Sequence, residues 1–148
     1  MKVAFVIQGE PASKANSRKV VKFADRSAMI KSDKARAYER DALRQIPPNA
    51  RLRLEGPVRV TLRIYYATQR PDLDESLILD VLQDRYKKLG AQRLLVQHGV
   101  YQNDRQVREK HVFHGVDRAN PRTEIEIETM EITAQVELDL PVAEEAPF

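Results

Sequence analysis

Pro57-Val58-Arg59-Val60-Thr61-Leu62-Arg63-Ile64-Tyr65-Tyr66-Ala67 is the stretch on which the fold turns. Val58, Val60, Leu62, Ile64 and Tyr66 fall on one face, and Arg59, Thr61, Arg63 and Tyr65 on the other. A strict period of two in β-branched and aromatic residues marks a half-buried strand. Such a strand needs a sheet around it and something apolar over one face. Two helices are expected to supply the cover. Upstream, Ser32-Asp33 is a helix start signal, Ala35, Tyr38, Ala42, Leu43 and Ile46 recur at helical spacing, and Pro47-Pro48 ends the run. Downstream, Leu77, Ile78, Val81, Leu82 and Tyr86 line one face of a second helix expected over Glu75 to Leu89, with Gly90 as its C-terminal cap.

Further out lie the other strands of the sheet. Residues 2–8 are rich in β-formers, and Gly9-Glu10-Pro11 breaks them. Val20 to Phe23 and Ala28 to Ile30 form two short strands around an Asp25-Arg26-Ser27 turn. Val107 to Val116 is another strand. Thr123 to Ile132 and Ala134 to Leu140 alternate Glu with apolar residues, as one long bent strand or a hairpin. Ala91 to Gly99, containing Leu94-Leu95-Val96, reads only as a connection. The expected class is α/β (α+β), a small mixed or mostly antiparallel sheet flanked by two helices. A single domain over residues 1–142 is expected, with 143–148 as a disordered tail.

Composition narrows the partner. No apolar run approaches the roughly 18 residues of a membrane span, and the apolar N-terminal run is too short for a signal peptide. There is no cysteine, so neither a disulfide nor a thiolate metal site is available, which fits a reducing, cytoplasmic setting. The net charge of +3 conceals an asymmetry. Residues 1–122 hold all 25 basic residues and 14 of the 22 acidic ones, a net +11, and the remainder carries −8. A body this basic suits a polyanion, although an ordinary solvated basic surface reads the same way. The polar loop Ala12 to Lys19 would let phosphates approach, with Lys14, Arg18 and Lys19 to grip them. A plain surface loop has the same composition.

Three carboxylates, Asp72, Asp74 and Glu75, follow the central strand within four residues, and Asn103-Asp104 comes about thirty positions later. One account is structural: an Asp before a helix caps it, and a Glu three residues on completes a capping box. The other is chemical. Mg²⁺ takes hard oxygen ligands, usually one or two carboxylates with water and phosphate completing the shell. An i, i+2 pair on extended backbone presents both acids to one side. The three histidines, His98, His111 and His114, carry no assigned role, and without Cys a zinc site has little support.

Three stretches together resemble the RusA family of Holliday-junction endonucleases. Gly9-Glu10-Pro11-Ala12-Ser13-Lys14 is similar to the family's N-terminal loop, Arg70-Pro71-Asp72-Leu73-Asp74 to its central segment, and Tyr101-Gln102-Asn103-Asp104-Arg105-Gln106-Val107 to its later acidic segment. The resemblance implies that Asp72, Asp74 and Asp104 are the catalytic acids and bind Mg²⁺, for which Mn²⁺ can substitute. It implies a homodimer on branched DNA, nicking a four-way junction symmetrically in recombination and repair, with no membrane and no organic cofactor. Lys14, Arg18, Arg70 and Arg105 are the expected DNA-binding residues.

The chain departs from the family pattern at several points. Glu75 stands where the family has Asn, Ile78 where it has a lysine, and Asn103 where it has an acid. The connection from Arg85 to Gly99 is longer. Lys87, Lys88, Arg70 or Arg105 could replace the missing lysine. A non-catalytic junction-binding protein, a nuclease acting on flaps or forks, and a basic structural domain are the competing readings.

Overall fold

A computed structural model describes residues 1–12, 18–22, 26–70 and 73–130. Eight strands and two helices run in the order β1 (Lys2–Gln8), β2 (Arg18–Lys22), β3 (Ser27–Lys31), α1 (Asp33–Gln45), β4 (Val58–Tyr66), α2 (Ser76–Val81), β5 (Arg85–Leu89), β6 (Gln92–Gln97), β7 (Val107–Val116) and β8 (Arg122–Thr129). The main sheet has the order β1-β8-β4-β7, and β2-β3 and β5-β6 form separate antiparallel hairpins. β8 is antiparallel to both β1 and β4, while β7 is parallel to β4. A parallel pair needs a long crossover. Here that crossover contains α2, the β5-β6 hairpin and the Asn103-Asp104 turn, so the whole acidic region belongs to one connection.

β4 behaves as its pattern demands: Val58, Val60, Leu62, Ile64 and Tyr66 are all buried, and the alternate residues are not. They pack with Ile7, Ile125 and Ile127 of β1 and β8, Ala35, Tyr38 and Ala42 of α1, and Ile78 and Val81 of α2. The Ser32 hydroxyl accepts the Ala35 N–H at 3.1 Å and starts α1. The helix ends at Ile46, whose extended ψ of 120° is the conformation favoured before proline. The opposite sheet face is solvated. Its charges are paired in rows, Arg59 with Glu109 and Glu128, and Arg122 with Asp117 and Glu124.

The helix expected over Glu75 to Leu89 is corrected. Its apolar face is real for Leu77, Ile78, Val81 and Leu82, all buried, but the helix stops at Val81. Arg85–Leu89 pairs instead with Gln92–Gln97 around a two-residue Gly90-Ala91 loop. Gly90 has φ of 63°, so it serves a hairpin turn and not a helix cap. The stretch Ala91 to Gly99, read as connection, is mostly strand β6. The expected strand from Thr123 ends at Thr129, and the Ala134 to Leu140 strand and the 143–148 tail lie outside the described residues, as do the tip of the β2-β3 turn and Ser13 to Ser17. No helix among the described residues is long and apolar enough to cross a membrane.

Candidate active site

The two acidic motifs both lie in the crossover between β4 and β7. Asp104 opens a single 3-10 turn, Asp104–Gln106, capped by Asn103. The Asn103 side chain accepts the Arg105 N–H at 2.8 Å, and Gln106 Oε1 accepts the N–H groups of Gln102 and Asn103 at 2.8 and 2.9 Å. The Gln106 Nε2 donates to the carbonyls of Leu54 and Gly56. One amide thus holds the turn and fixes it to the segment before β4. Asn103 thus has structural work as a cap, which an acid at this position would do as well. Replacing Gln106 by Leu removes four half-exposed hydrogen bonds, so about 2 kcal/mol of stability is expected to be lost in denaturant titration. An unchanged midpoint would refute the bracket.

Asp104 is exposed, and its N–H donates to Gln83 Oε1 at 3.0 Å. The Gln83 Nε2 donates to Asp80 Oδ1 at 2.9 Å, so one glutamine spans the Asp104 turn and α2. Tyr101 lies between, fully buried, its hydroxyl donating to the Leu79 carbonyl at 2.8 Å. Burial first, and then the charges of Asp104 and Asp80, push the Tyr101 hydroxyl far above its ordinary pKa. Both acids therefore act on the same buried ring.

Asp74 accepts the Ser76 N–H at 3.2 Å and the Ser76 hydroxyl at 2.9 Å, so this acid caps α2. Glu75 makes no capping bond, and the expected Asp72/Glu75 capping box is corrected: the helix starts later, and Glu75 pairs with Lys110 Nζ at 2.6 Å. Lys110 aligns with buried Val60 in the parallel register, so it sits on the covered face of an edge strand. Its bond to Glu75 lays the segment after Asp74 alongside the strand that the Asp104 turn begins. Asp72 and Lys14 lie outside the described residues, as does the Arg18 side chain.

Arg70 is nearly enclosed, with its side chain 11% exposed. Its guanidinium stacks 4.3 Å from the Tyr66 ring centre, donates to the Pro11 carbonyl at 3.0 Å and pairs with Glu10 at 3.3 Å. Its Nε and Nη2 have no hydrogen-bond partner among the described residues. The motifs Gly9 to Pro11 and Arg70 to Asp74 thereby meet at one aromatic ring. Burial raises the Tyr66 hydroxyl's pKa; Arg70 opposes this, and the charges of Asp74 and Glu10 add to it. His114 also stacks on that ring, with Nδ1 3.2 Å from the hydroxyl. Arg105 is exposed and lines an open cavity of about 400 Å³ with Arg108, Gly56 and Pro57.

Ile78, at the position of the family lysine, is fully buried in the core. The lysines that do meet acids here, Lys31 and Lys110, were missed in the sequence. Lys31 Nζ bridges Asp80 and Glu39 at 2.9 and 2.7 Å. Partial burial pulls its pKa down, but the bonds to Glu39 and Asp80 outweigh that and hold it above the ordinary value.

Comparison with known families now decides the matter. The family model Endodeoxyribonuclease RusA matches residues 8–128, which include both acidic segments. The chain belongs to the RusA family. The chain matches no curated protein. Membership in RusA gives the exposed Asp104 and the capping Asp74 a context that helix capping alone does not.

Proposed function

We propose that the chain is a structure-selective DNA endonuclease that resolves four-way junctions by paired symmetric nicks, acting as a homodimer with Mg²⁺ held by Asp72, Asp74 and Asp104. RusA nucleases are generally dependent on a divalent metal. One observation carries the reading. Five acids lie between residues 73 and 104. Glu75, Asp80 and Asp84 each pair with a basic side chain, Lys110, Lys31 and Arg53 respectively. Asp74 and Asp104 make no ion pair among the described residues. That these two acids, unlike the other three, lack a basic partner among the described residues supports a role for them as cation ligands.

The donor chemistry fits a hard divalent ion: carboxylate oxygens, with no thiolate in the chain. Among the described residues no three His, Cys, Asp or Glu side chains form a metal group on their own, and the third proposed ligand, Asp72, lies outside them. A bound ion would supply charge at the phosphoryl oxygen and acidify a water molecule. The chain's own residues do the rest. Gln83 and the Asn103 cap fix the backbone on either side of Asp104, and Ser76 orients Asp74. Arg105, exposed beside the Asp104 turn, holds phosphate oxygens, and the enclosed Arg70 braces the acidic segment against the N-terminal loop. A two-fold dimer presents two such sites to a two-fold substrate.

The test is cleavage of a synthetic four-way junction beside a flap, a fork and linear duplex, with Mg²⁺ or EDTA. Paired nicks in the junction with Mg²⁺ alone are expected. Absence of cleavage of every branched substrate overturns the proposal, and preference for the flap or fork reassigns the substrate.

A further inference from the structure

The β5-β6 hairpin belongs to the crossover but adds little to the core, since Lys87, Lys88, Leu89, Gln92, Arg93, Leu94 and Val96 are all exposed. Between Arg85 and Asn103 there are four basic residues and no acidic one. Arg85 pairs with Glu39, but among the described residues no carboxylate meets Lys87, Lys88 or Arg93. Arg93 stacks its guanidinium 4.1 Å from the Tyr86 ring centre, which leaves its charge outward. The strands also expose Tyr86, Leu89, Leu94 and Val96, each between 43% and 54%. An exposed ribbon that is basic throughout and apolar in part is poorly suited to water alone.

The hairpin is firmly rooted. Asp84, buried just before β5, accepts the Gly99 N–H at 2.8 Å just after β6 and two bonds from Arg53 at 2.9 and 2.8 Å. A polar cleft of about 210 Å³ at this root is lined by Gln83, Arg85, Tyr86, Arg93, Gln102 and Asn103. Gln83 and Asn103 are the residues that position Asp104, so the cleft joins the ribbon to the candidate active site.

We infer that the β5-β6 ribbon is a DNA-binding arm that lies in a groove of one duplex limb of the substrate. The inference rests on the nuclease reading above and adds to it a surface that only the longer Arg85 to Gly99 connection provides. Two-stranded ribbons fit the major groove, where apolar side chains meet thymine methyl groups and flanking cations meet phosphates. Strands of five and six residues reach about 17–20 Å, enough to cross from one phosphate backbone to the other. The uniform positive charge selects this occupant over a second copy of the ribbon, which would bring like charges together.

The experiment compares the full chain with a Lys87→Gln/Lys88→Gln/Arg93→Gln variant. Binding to a four-way junction is measured in EDTA, so that no cutting occurs, from about 50 to 200 mM salt. The expected result is at least a tenfold loss of affinity near the low end of that range. The slope of log K against log salt should fall by about 2 to 3, since each phosphate that a side chain neutralises adds about 0.9 to it. The melting temperature should be unchanged, because all three side chains are exposed. The Lys87→Gln/Lys88→Gln double variant should show about two-thirds of that fall in slope, which guards against misfolding of the triple variant. An unchanged slope with wild-type cleavage intact overturns this inference and spares the nuclease reading. A Leu89→Ser/Leu94→Ser variant that alters oligomeric state while binding DNA normally also overturns it, in favour of a second copy. A wild type that neither binds nor cuts branched DNA removes the nuclease reading, and this inference with it.

Discussion

Asp104→Asn is expected to reduce junction cleavage by about 10³-fold or more while leaving the melting temperature within a degree or two of wild type. The size follows from losing one carboxylate of the proposed Mg²⁺ site; a loss of about 4 kcal/mol of transition-state stabilisation corresponds to about 10³ in rate. The structural silence follows from what holds the residue. Its N–H bonds Gln83 and its neighbours are fixed by Asn103 and Gln106, and none of these bonds uses the Asp104 carboxylate. The side chain is exposed and has no ion pair among the described residues to lose. Asp80→Asn is the control. That acid is engaged by Lys31 and Gln83, so its loss should reduce stability more than Asp104→Asn does. If Asp104→Asn cuts junctions at the wild-type rate, the acid is only a turn residue.

The parts of the fold that were legible are those in which local pattern and tertiary environment agree. β4 alternates because one of its faces is covered and the other is wet, and α1 carries its own start in Ser32 and its own stop in Pro47. The run after Asp74 misled for a physical reason. Leu77, Ile78, Val81 and Leu82 set a helical period, and Tyr86 happens to continue it. The chain leaves the helix because Leu82 and Gln83 are held by Val100 and Tyr101, fifteen or more residues away, and no local period records that. Gly90 offered a turn signal, but Lys87, Lys88, Leu89, Gln92 and Arg93 around it are not strong β-formers, and a glycine after a helical period reads equally well as a cap.

The site divides in the same way. Asp74 and Asp104 were legible by residue type and by motif. Lys110 was not, because a charged residue in an edge strand reads as solvent-facing. Its spacing from Val112 and His114 places it on the covered side, and only Glu75, brought there by the crossover, explains it. Lys31, Asp80 and Gln83 escaped notice because their partners come from separate elements. Arg70 was expected as a phosphate contact, but its enclosure beside Tyr66 gives it another duty, joining the N-terminal loop to the acidic segment.

Asp84→Ala is expected to destabilise the fold by about 3 kcal/mol, a fall in melting temperature of roughly 6–12 °C for a chain of this size. The carboxylate is fully enclosed and closes the hairpin root by accepting from Gly99 on one side and Arg53 on the other. When it is lost, Arg53 turns to water, since a third of its side chain is already exposed. The Gly99 N–H does not, because Gly99 is buried against the Gln83 and Asp84 backbone: a Cβ there would stand 2.3 Å from the Gln83 carbonyl carbon. That unsatisfied donor and the lost charged hydrogen bonds make up most of the cost. Arg53 compounds it. It occupies a left-handed conformation, φ 49°, rare for a residue with a side chain, and is held there by Asp84 and by its own N–H on the Gly99 carbonyl at 3.0 Å. Arg53→Gly relieves backbone strain but strands the enclosed Asp84 carboxylate without its cation, so it should cost at least as much as Asp84→Ala. If the two variants melt together, within a degree of wild type, Asp84 does not brace the hairpin, and the ribbon's orientation towards Asp104 must come from elsewhere.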